Sequence, residues 1–337
     1  MASAFILDRG TNISHWLSQG KARGEERKNW FTKTDVDAIA KMGFDHIRLP
    51  VDEEQMWDES GKPEPEAFGL LDDCLDWCAK AGLNAVVDLH ILRSHYFNDS
   101  RTPRLFSDPG EQEKFLGFWE QLSSHLRKRP VSSVCYELLN EPIASDDGDW
   151  NRVSAPVFRA LRAAEPGRTI ILGSNRFNSV LAFDTLEVPE DKNCILTFHF
   201  YYPMFLTHYK ASWWKGGKYG GPVAYPGAPI PAAEWMKLDP GFRKEMEGNN
   251  TVFGRSEMVK LLEQPLRARD RTGLKLYCGE FGCYKAAPLD LRLAWYRDII
   301  SVFKEYSIAW ANWDYKGGFG LVDAKGVSTG INGALLG

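Results

Sequence analysis

The sequence predicts a (β/α)8 TIM barrel, an α/β fold of one domain, from three observations. Apolar strand-like runs and amphipathic helix-like stretches alternate along nearly the whole chain. Eight strand candidates are separated by crossover connections, and no break in composition divides the chain. A length of 337 residues is ordinary for one barrel with long loops. A doubly wound open sheet is the alternative, but no glycine-rich phosphate turn follows the first strand.

The strand candidates are short apolar runs, predicted at 5–13, 44–49, 84–89, 134–139, 169–172, 194–200, 274–279 and 308–314. Helical patterns lie between them, at 34–41, 70–80, 111–127, 150–164, 256–269 and 289–305. The first of these helices opens with Thr34 at a plausible N-cap and stops before Gly43. The second stops before Gly82, so both follow the usual helix punctuation.

A long segment after the sixth strand, residues 203–250, breaks this alternation. It has no convincing helical or alternating period, and it is rich in proline, glycine and aromatic residues, including Trp213, Trp214, Tyr219, Tyr225 and Trp235. Loops this long are usually functional or disordered, and the tryptophan content argues against disorder. We therefore predict one catalytic domain, 1–337, in which 203–250 is an insertion forming one wall of a substrate groove. A packed structural cover is the alternative.

Composition and charge exclude several classes of partner. The net charge of −4 and the pI near 6.0 provide no electrostatic footprint for nucleic acid or an anionic membrane. No apolar run approaches the length of a membrane-spanning helix. Residues 1–7 lack the pattern of a signal peptide, so the protein is intracellular or has lost a leader, and its location stays open.

The cysteines indicate neither a disulfide framework nor a metal site. Five of the six lie in apolar strand-like runs or at helical spacing, so they are best explained as small buried hydrophobic residues. No histidine or cysteine pairing of zinc-ligand spacing surrounds Cys278 and Cys283. We expect no metal and no cofactor.

Two glutamates each follow a buried strand candidate. Glu141 lies in Leu138-Leu139-Asn140-Glu141-Pro142, and Glu280 lies in Cys278-Gly279-Glu280-Phe281-Gly282. Two carboxyl groups brought together at the ends of different strands can divide acid and nucleophile roles, which is the chemistry of a retaining glycosidase. That chemistry requires a separation of about 5–5.5 Å. Taken singly, each residue is equally well an ordinary surface glutamate.

Further polar or aromatic side chains recur where the strand candidates end. They are Arg48, His90, Asn140, His199, Tyr201 and Trp313. His199 and Tyr201 occupy alternate positions, so both point to the same side of their strand. A lone histidine at a strand end is usually structural, but so many such residues in one barrel indicate a substrate site.

Together these residues resemble glycoside hydrolase family 5, the cellulase-type group of retaining barrel glycosidases. The resemblance extends from Arg9-Gly10-Thr11-Asn12 to Trp313-Asp314-Tyr315-Lys316, essentially the whole chain. It implies that Glu141 is the acid/base and Glu280 the nucleophile.

The reaction gives each neighbour an expected role. Arg48 would keep the attacking carboxylate of Glu280 deprotonated, and the hydroxyl of Tyr201 would fix its orientation. Asn140 is suited to bind the 2-hydroxyl of the sugar. The two histidines, His90 and His199, would bind the reacting sugar and the carboxylates, and Trp313 would supply a flat face for the sugar ring.

For the substrate we expect β-linked glucan, hydrolysed by an endo-β-1,4-glucanase through double displacement. A β-mannanase, or an exo-acting β-glucosidase or β-1,3-glucanase, is the alternative within the family. Aromatic platforms suit a glycan groove, and the candidates are Trp16, Trp213, Trp214 and Trp313. Asn12, His15 and Trp16 are candidates for the far end of the groove. His95 is either a further sugar contact or an ordinary loop histidine.

Two readings from other classes stay open at this point. One is a non-catalytic carbohydrate-binding barrel, which both carboxylates argue against. The other is a metal-dependent hydrolase, which the wide spacing of His90 and His199 in the sequence argues against. We expect a monomer, the default for enzymes that act on polymers.

Overall fold

The computed structural model describes residues 5–99 and 102–337. Its eight parallel strands form a closed barrel in which each strand neighbours the next along the chain. The strands are β1 (Arg9–Asn12), β2 (His46–Asp52), β3 (Asn84–Ile91), β4 (Val134–Glu137), β5 (Ile170–Gly173), β6 (Cys194–Phe200), β7 (Lys275–Phe281) and β8 (Ala309–Asn312). The predicted (β/α)8 barrel is confirmed.

Helices occupy the connections between the strands. Those of seven or more residues are Gly24–Trp30, Lys33–Met42, Pro65–Ala81, Pro109–Leu126, Asp147–Ala164, Pro240–Met246, Arg255–Leu261, Glu263–Thr272 and Leu289–Tyr306. Shorter helices are Glu53–Met56, Met204–Thr207, Ala232–Trp235 and Asn332–Leu336. No helix in residues 5–99 and 102–337 combines the length and the apolar composition needed to cross a membrane.

Several predicted boundaries are wrong for identifiable reasons. The helix predicted at 34–41 is Lys33–Met42 and its N-cap is Thr32 rather than Thr34; the backbone N–H of Thr32 donates to Asp35 at 2.9 Å. The predicted helix 256–269 is two helices. Because a proline ring clashes with the carbonyl four residues earlier, Pro265 ends the first of them at Leu261.

The described chain forms two compact units. The first contains the residues up to His199 together with Gln264–Gly279 and Ala309–Ala311, and so holds the body of the barrel. Its interior is filled from several strands by a cluster of buried side chains: Phe5, Leu7, Val86, Cys135, Ile171, Ile195, Tyr277, Ala309 and Ala311. This packed cluster leaves polar side chains to the ends of the strands.

The strand register of the first unit brings acidic residues together. Asp88 on β3 lies opposite Glu137 on β4, and Pro50 on β2 lies opposite Asp88. Arg48 precedes Pro50 by two residues, so it faces the same side of β2. The register therefore places one arginine next to two carboxyl groups.

The second unit contains Phe200–Glu263, Glu280–Ile308 and Asn312–Gly337. Contrary to the sequence-based prediction, its long segment after β6 contains helices, but the α-helices have only four to seven residues. Its aromatic rings pack around Phe205, with centroids 5.0–6.3 Å away, and they belong to Trp214, Tyr219, Trp235 and Phe242. Trp213 differs from them because half of its surface is exposed.

Candidate active site

A buried arginine organises the strand ends of the first unit. Nε of Arg48 donates to Oε2 of Glu137 at 2.8 Å, and Nη2 donates to Oε1 at 3.0 Å. Nη2 also lies 3.0 Å from Oδ2 of Asp88. The guanidinium also donates to Oδ1 of Asn12 and to Oδ1 of Asn140, both at 2.9 Å. One fixed cation thus holds two acids and two amides.

The two acids share this one cation in surroundings without solvent. Burial raises the pKa of Asp88 to about 7 and that of Glu137 to about 7, and the charge of Arg48 opposes both shifts. Since one guanidinium balances only one carboxylate, the pair retains a proton near neutral pH. Nδ1 of His90 lies 2.6 Å from Oδ2 of Asp88, which fixes the histidine ring against this cluster.

Asn140 has one end bound and one end available. Its backbone N–H donates to the carbonyl of Leu89 at 3.0 Å, and its Oδ1 accepts from Arg48. Because the oxygen is committed to the arginine, the amide nitrogen must point away from it. Nδ2 is buried and has no hydrogen-bond partner in the described part of the chain. A buried donor without a partner is rare, and here it is suited to a ligand hydroxyl.

Glu141 follows Asn140 in a strained backbone conformation, with φ at +45°. Its Oε1 lies 2.8 Å from Nδ1 of His199, the histidine near the end of β6. Burial lowers the pKa of His199, and the nearby Arg48 and His90 lower it further. The imidazole is therefore neutral, and it can donate one hydrogen bond to the glutamate.

Glu280 lies near the end of β7, one residue before its last residue, Phe281. The hydroxyl of Tyr201 donates to Oε2 of Glu280 at 2.9 Å, which confirms the expected contact. Trp313 follows the last residue of β8, and its backbone N–H donates to the carbonyl of Phe281 at 2.8 Å. The second unit thus presents a tyrosine, a glutamate and a tryptophan near the ends of β6, β7 and β8, respectively.

A family model for cellulase, described as glycosyl hydrolase family 5, matches residues 10–318. The chain belongs to glycosyl hydrolase family 5. Endoglucanase C of Acetivibrio thermocellus is 35% identical to this family 5 chain over 312 residues, which cover 91% of this chain and 90% of the relative. Cellodextrinase A of Ruminococcus flavefaciens is 28% identical over 305 residues, covering 89% and 83%.

Solved structures share the fold. A mutant form of Thermotoga maritima Cel5A in complex with cellobiose is 25% identical, with a TM-score of 0.78 and coverage of 98% of this chain and 97% of that one. The cellulose synthase subunit Z of Clostridioides difficile has a TM-score of 0.80 at 24% identity, covering 98% and 100%. This family 5 protein is a glycoside hydrolase.

Some expectations for the family 5 site are wrong. Trp16 is not a sugar platform, because it is 1% exposed, its Nε1 donates to the carbonyl of Arg27 at 2.8 Å and its ring packs on Phe31. Asn12 does not line a groove either, since it is fully buried and bound to Arg48 and to the carbonyl of Gly279. His95 is a buried residue, and burial lowers its pKa to about 3.

Three further residues of this family 5 site were not predicted from the sequence. Asp88 and Glu137 were read as parts of buried strands, although an acidic residue inside an apolar strand is itself a signal for a buried partner. Asn178 was missed because nothing in the sequence shows that its amide, Nδ2, lies 3.3 Å from Nε2 of His199.

Proposed function

We propose that the protein is a retaining endo-β-1,4-glucanase that hydrolyses β-linked glucan by double displacement. The similarity to Endoglucanase C, which extends over 91% of this chain, carries the proposal. Endoglucanases from Acetivibrio thermocellus and from Clostridium sp. strain F1 are each 35% identical to this chain. These relatives favour glucan over mannan, so the mannanase alternative is not retained.

We assign the acid/base role to Glu141 and the nucleophile role to Glu280. Glu141 follows the carboxyl end of β4, and Glu280 is the last residue but one of β7. In (β/α)8 enzymes the catalytic groups come from the carboxyl ends of the strands. The histidine contact on Glu141 and the tyrosine contact on Glu280 give the two carboxyl groups different surroundings, as two different roles require.

In the first step, a carboxylate oxygen of Glu280 attacks the anomeric carbon of the sugar. The bond from that carbon to the glycosidic oxygen breaks, and Glu141 gives its proton to the departing oxygen. In the second step, Glu141 takes a proton from water, and the water oxygen attacks the same carbon. Glu280 is released as a carboxylate, and the configuration of the sugar is retained.

The residues around the two carboxyl groups bind the sugar and hold its surroundings in place. Nδ2 of Asn140, which has no hydrogen-bond partner among the described residues, is the donor for the 2-hydroxyl, a contact that strengthens in the transition state. His90 contacts the sugar with its ring fixed by Asp88, and Trp313 provides the flat face. Arg48 is held by its two bonds to Glu137, and its bond to Oδ1 of Asn140 keeps that amide in place for the sugar.

The segment 203–250 forms a wall of the glycan groove in this proposal. Its half-exposed indole, Trp213, is the sugar platform, and this ring packs edge-on against Tyr284 with the ring centroids 5.1 Å apart. Aromatic faces exposed to solvent suit the apolar faces of pyranose rings.

Reducing-sugar release from carboxymethylcellulose, glucomannan and laminarin, assayed side by side, tests the substrate. We expect release from carboxymethylcellulose together with an early fall in viscosity, because endo cleavage shortens chains from within. Release from laminarin alone, or release without loss of viscosity, contradicts the proposal.

The variant Glu280→Gln tests the catalytic assignment. Turnover is expected to be abolished while glucan binding is retained, because the amide keeps the size of the side chain but cannot attack. Glu120→Gln is the matched control, since Glu120 is exposed on the helix Pro109–Leu126. Turnover that survives in Glu280→Gln contradicts the assignment.

A further inference from the structure

The turn that follows β5 has an unusual backbone. Arg176 has φ and ψ of 57° and 56°, Phe177 has 66° and 41°, and Asn178 has a φ of 51°. Three consecutive left-handed residues are unfavourable for L-amino acids and persist only where the surroundings enforce them. Strain of this kind concentrates at functional sites.

Hydrogen bonds fasten this turn to the segment that follows Glu141. The backbone N–H of Phe177 donates to the carbonyl of Pro142 at 3.1 Å. The side chain of Asn175 accepts from the backbone N–H of Ala144 at 2.9 Å and donates to its carbonyl at 3.0 Å. The left-handed turn is therefore held in register with the segment that carries the acid/base.

The same turn aims the side chain of Asn178 at His199. The Asn178 amide is completely buried, and its Nδ2 lies 3.3 Å from Nε2 of the imidazole. The close approach to β5 requires a glycine, because a Cβ on Gly173 would lie 2.4 Å from Oδ1 of Asn178. An amide N–H that donates to Nε2 leaves the single proton of the neutral ring on Nδ1.

We propose that Asn178 is a positioning residue for acid/base catalysis, because its amide fixes the histidine tautomer that donates from Nδ1 to Oε1 of Glu141. This inference rests on the proposed role of Glu141. With Oε1 accepting from His199, the proton of the Glu141 carboxyl group resides on Oε2 and is given to the leaving oxygen. In the other tautomer Nδ1 accepts, and it holds the carboxyl proton on Oε1 instead.

Comparing two substrates in Asn178→Ala tests the proposal. Cellotetraose has a poor leaving group and needs the acid, whereas 2,4-dinitrophenyl β-cellobioside has a good leaving group and does not. We expect kcat/KM to fall about tenfold for cellotetraose, a part of the roughly 10²–10⁴-fold that general acid catalysis typically contributes, and less than about twofold for the dinitrophenyl substrate. Gly173→Ala pushes the same amide away and is expected to reproduce the pattern without changing Asn178.

The matched control is Asn175→Ala, which loosens the same turn without removing the contact to His199. Its losses should be similar for the two substrates. Equal losses for both substrates in Asn178→Ala would show a purely structural role and overturn the proposal.

The pH profile of kcat/KM for cellotetraose is a second readout. Within the first unit, the charged or titratable groups facing His199 include the carboxyl group of Glu141, the guanidinium of Arg48 and the ring of His90. None of these is changed in Asn178→Ala. The basic limb should nevertheless move to higher pH, because the carboxylate loses a fixed donor. An unmoved limb, or one moved to lower pH, would also overturn the proposal.

The variant Glu141→Ala separates this inference from the proposed function. If Glu141 is the acid/base, its removal gives a large loss on cellotetraose and a much smaller loss on the dinitrophenyl substrate. If that selectivity is absent, the acid/base assignment itself is wrong. If it is present in Glu141→Ala and absent in Asn178→Ala, only the role of Asn178 is wrong.

Discussion

The guanidinium of Arg48 binds both carboxylate oxygens of Glu137, at 2.8 and 3.0 Å, and neither residue is exposed. A bidentate pair of this kind has a single geometry, so the arginine cannot swing within the barrel. Asp88 shares the same guanidinium at 3.0 Å. The rigidity of the candidate active site therefore depends on a buried cluster of two carboxyl groups and one guanidinium.

This cluster predicts a dependence of stability on pH. The pKa of Glu137 is raised from 4.5 to about 7, so the folded state holds a proton that the unfolded state has released within that range. Because the folded state binds more protons there, the free energy of unfolding falls as pH rises from 4.5 to about 7. This contribution amounts to roughly 3 kcal/mol across the window, at about 1.4 kcal/mol per pH unit.

The variant Glu137→Gln, which mimics the protonated acid, should remove that contribution. Its stability relative to the natural protein is expected to rise between pH 4.5 and pH 7.5, as measured by urea denaturation at each pH. Glu120→Gln, on an exposed helix face, is the control, and its free energy of unfolding relative to that of the natural protein should not vary with pH. If the free energy of unfolding of Glu137→Gln, relative to that of the natural protein, stays constant or falls as pH rises, Glu137 does not hold a proton in the folded state.

The tyrosine contact on Glu280 predicts a loss of activity in Tyr201→Phe. The variant removes a hydrogen bond to a charged group, which is typically worth about 1.5–3 kcal/mol, so kcat/KM should fall by roughly ten- to a hundredfold. Tyr209→Phe is the matched control, because the Tyr209 hydroxyl donates to the carbonyls of Gly220 and Gly221 instead. Equal activity in the two variants would show that the Tyr201 hydroxyl does not orient the nucleophile.

The stereochemistry of the product is a further prediction. A carboxyl separation of about 5–5.5 Å and a covalent intermediate both lead to retention of configuration. Proton NMR of cellotetraose hydrolysis should therefore show the β-anomer first, followed by slow mutarotation. An α-anomer formed first would exclude double displacement.

Much of the fold was predictable because the hydrophobic pattern determines it. Each of the eight strand candidates overlaps an observed strand, and the helix stops at Gly43 and Gly82 were predicted from their position after periodic segments. The two glutamates were also found, because short motifs place them next to strand ends. Local pattern is sufficient for features of this kind.

Other features depend on contacts between distant parts of the chain. Trp16 was expected to be a platform, yet the chain after β1 folds back and buries it against Phe31. The partners of Arg48 depend on the register of four consecutive strands, β1 to β4, which the sequence does not show. The left-handed turn that carries Asn178 contains no glycine and so gave no signal in the sequence.

Trapping the glycosyl-enzyme tests the central assignment most directly. A 2-deoxy-2-fluoro β-cellobioside with a dinitrophenyl leaving group should inactivate the enzyme by forming an ester that hydrolyses slowly. Digestion and mass spectrometry should then find the sugar on the peptide containing Glu280, and Glu280→Gln should acquire no label. A sugar attached to any other residue, or inactivation that leaves no covalent adduct, would contradict the account.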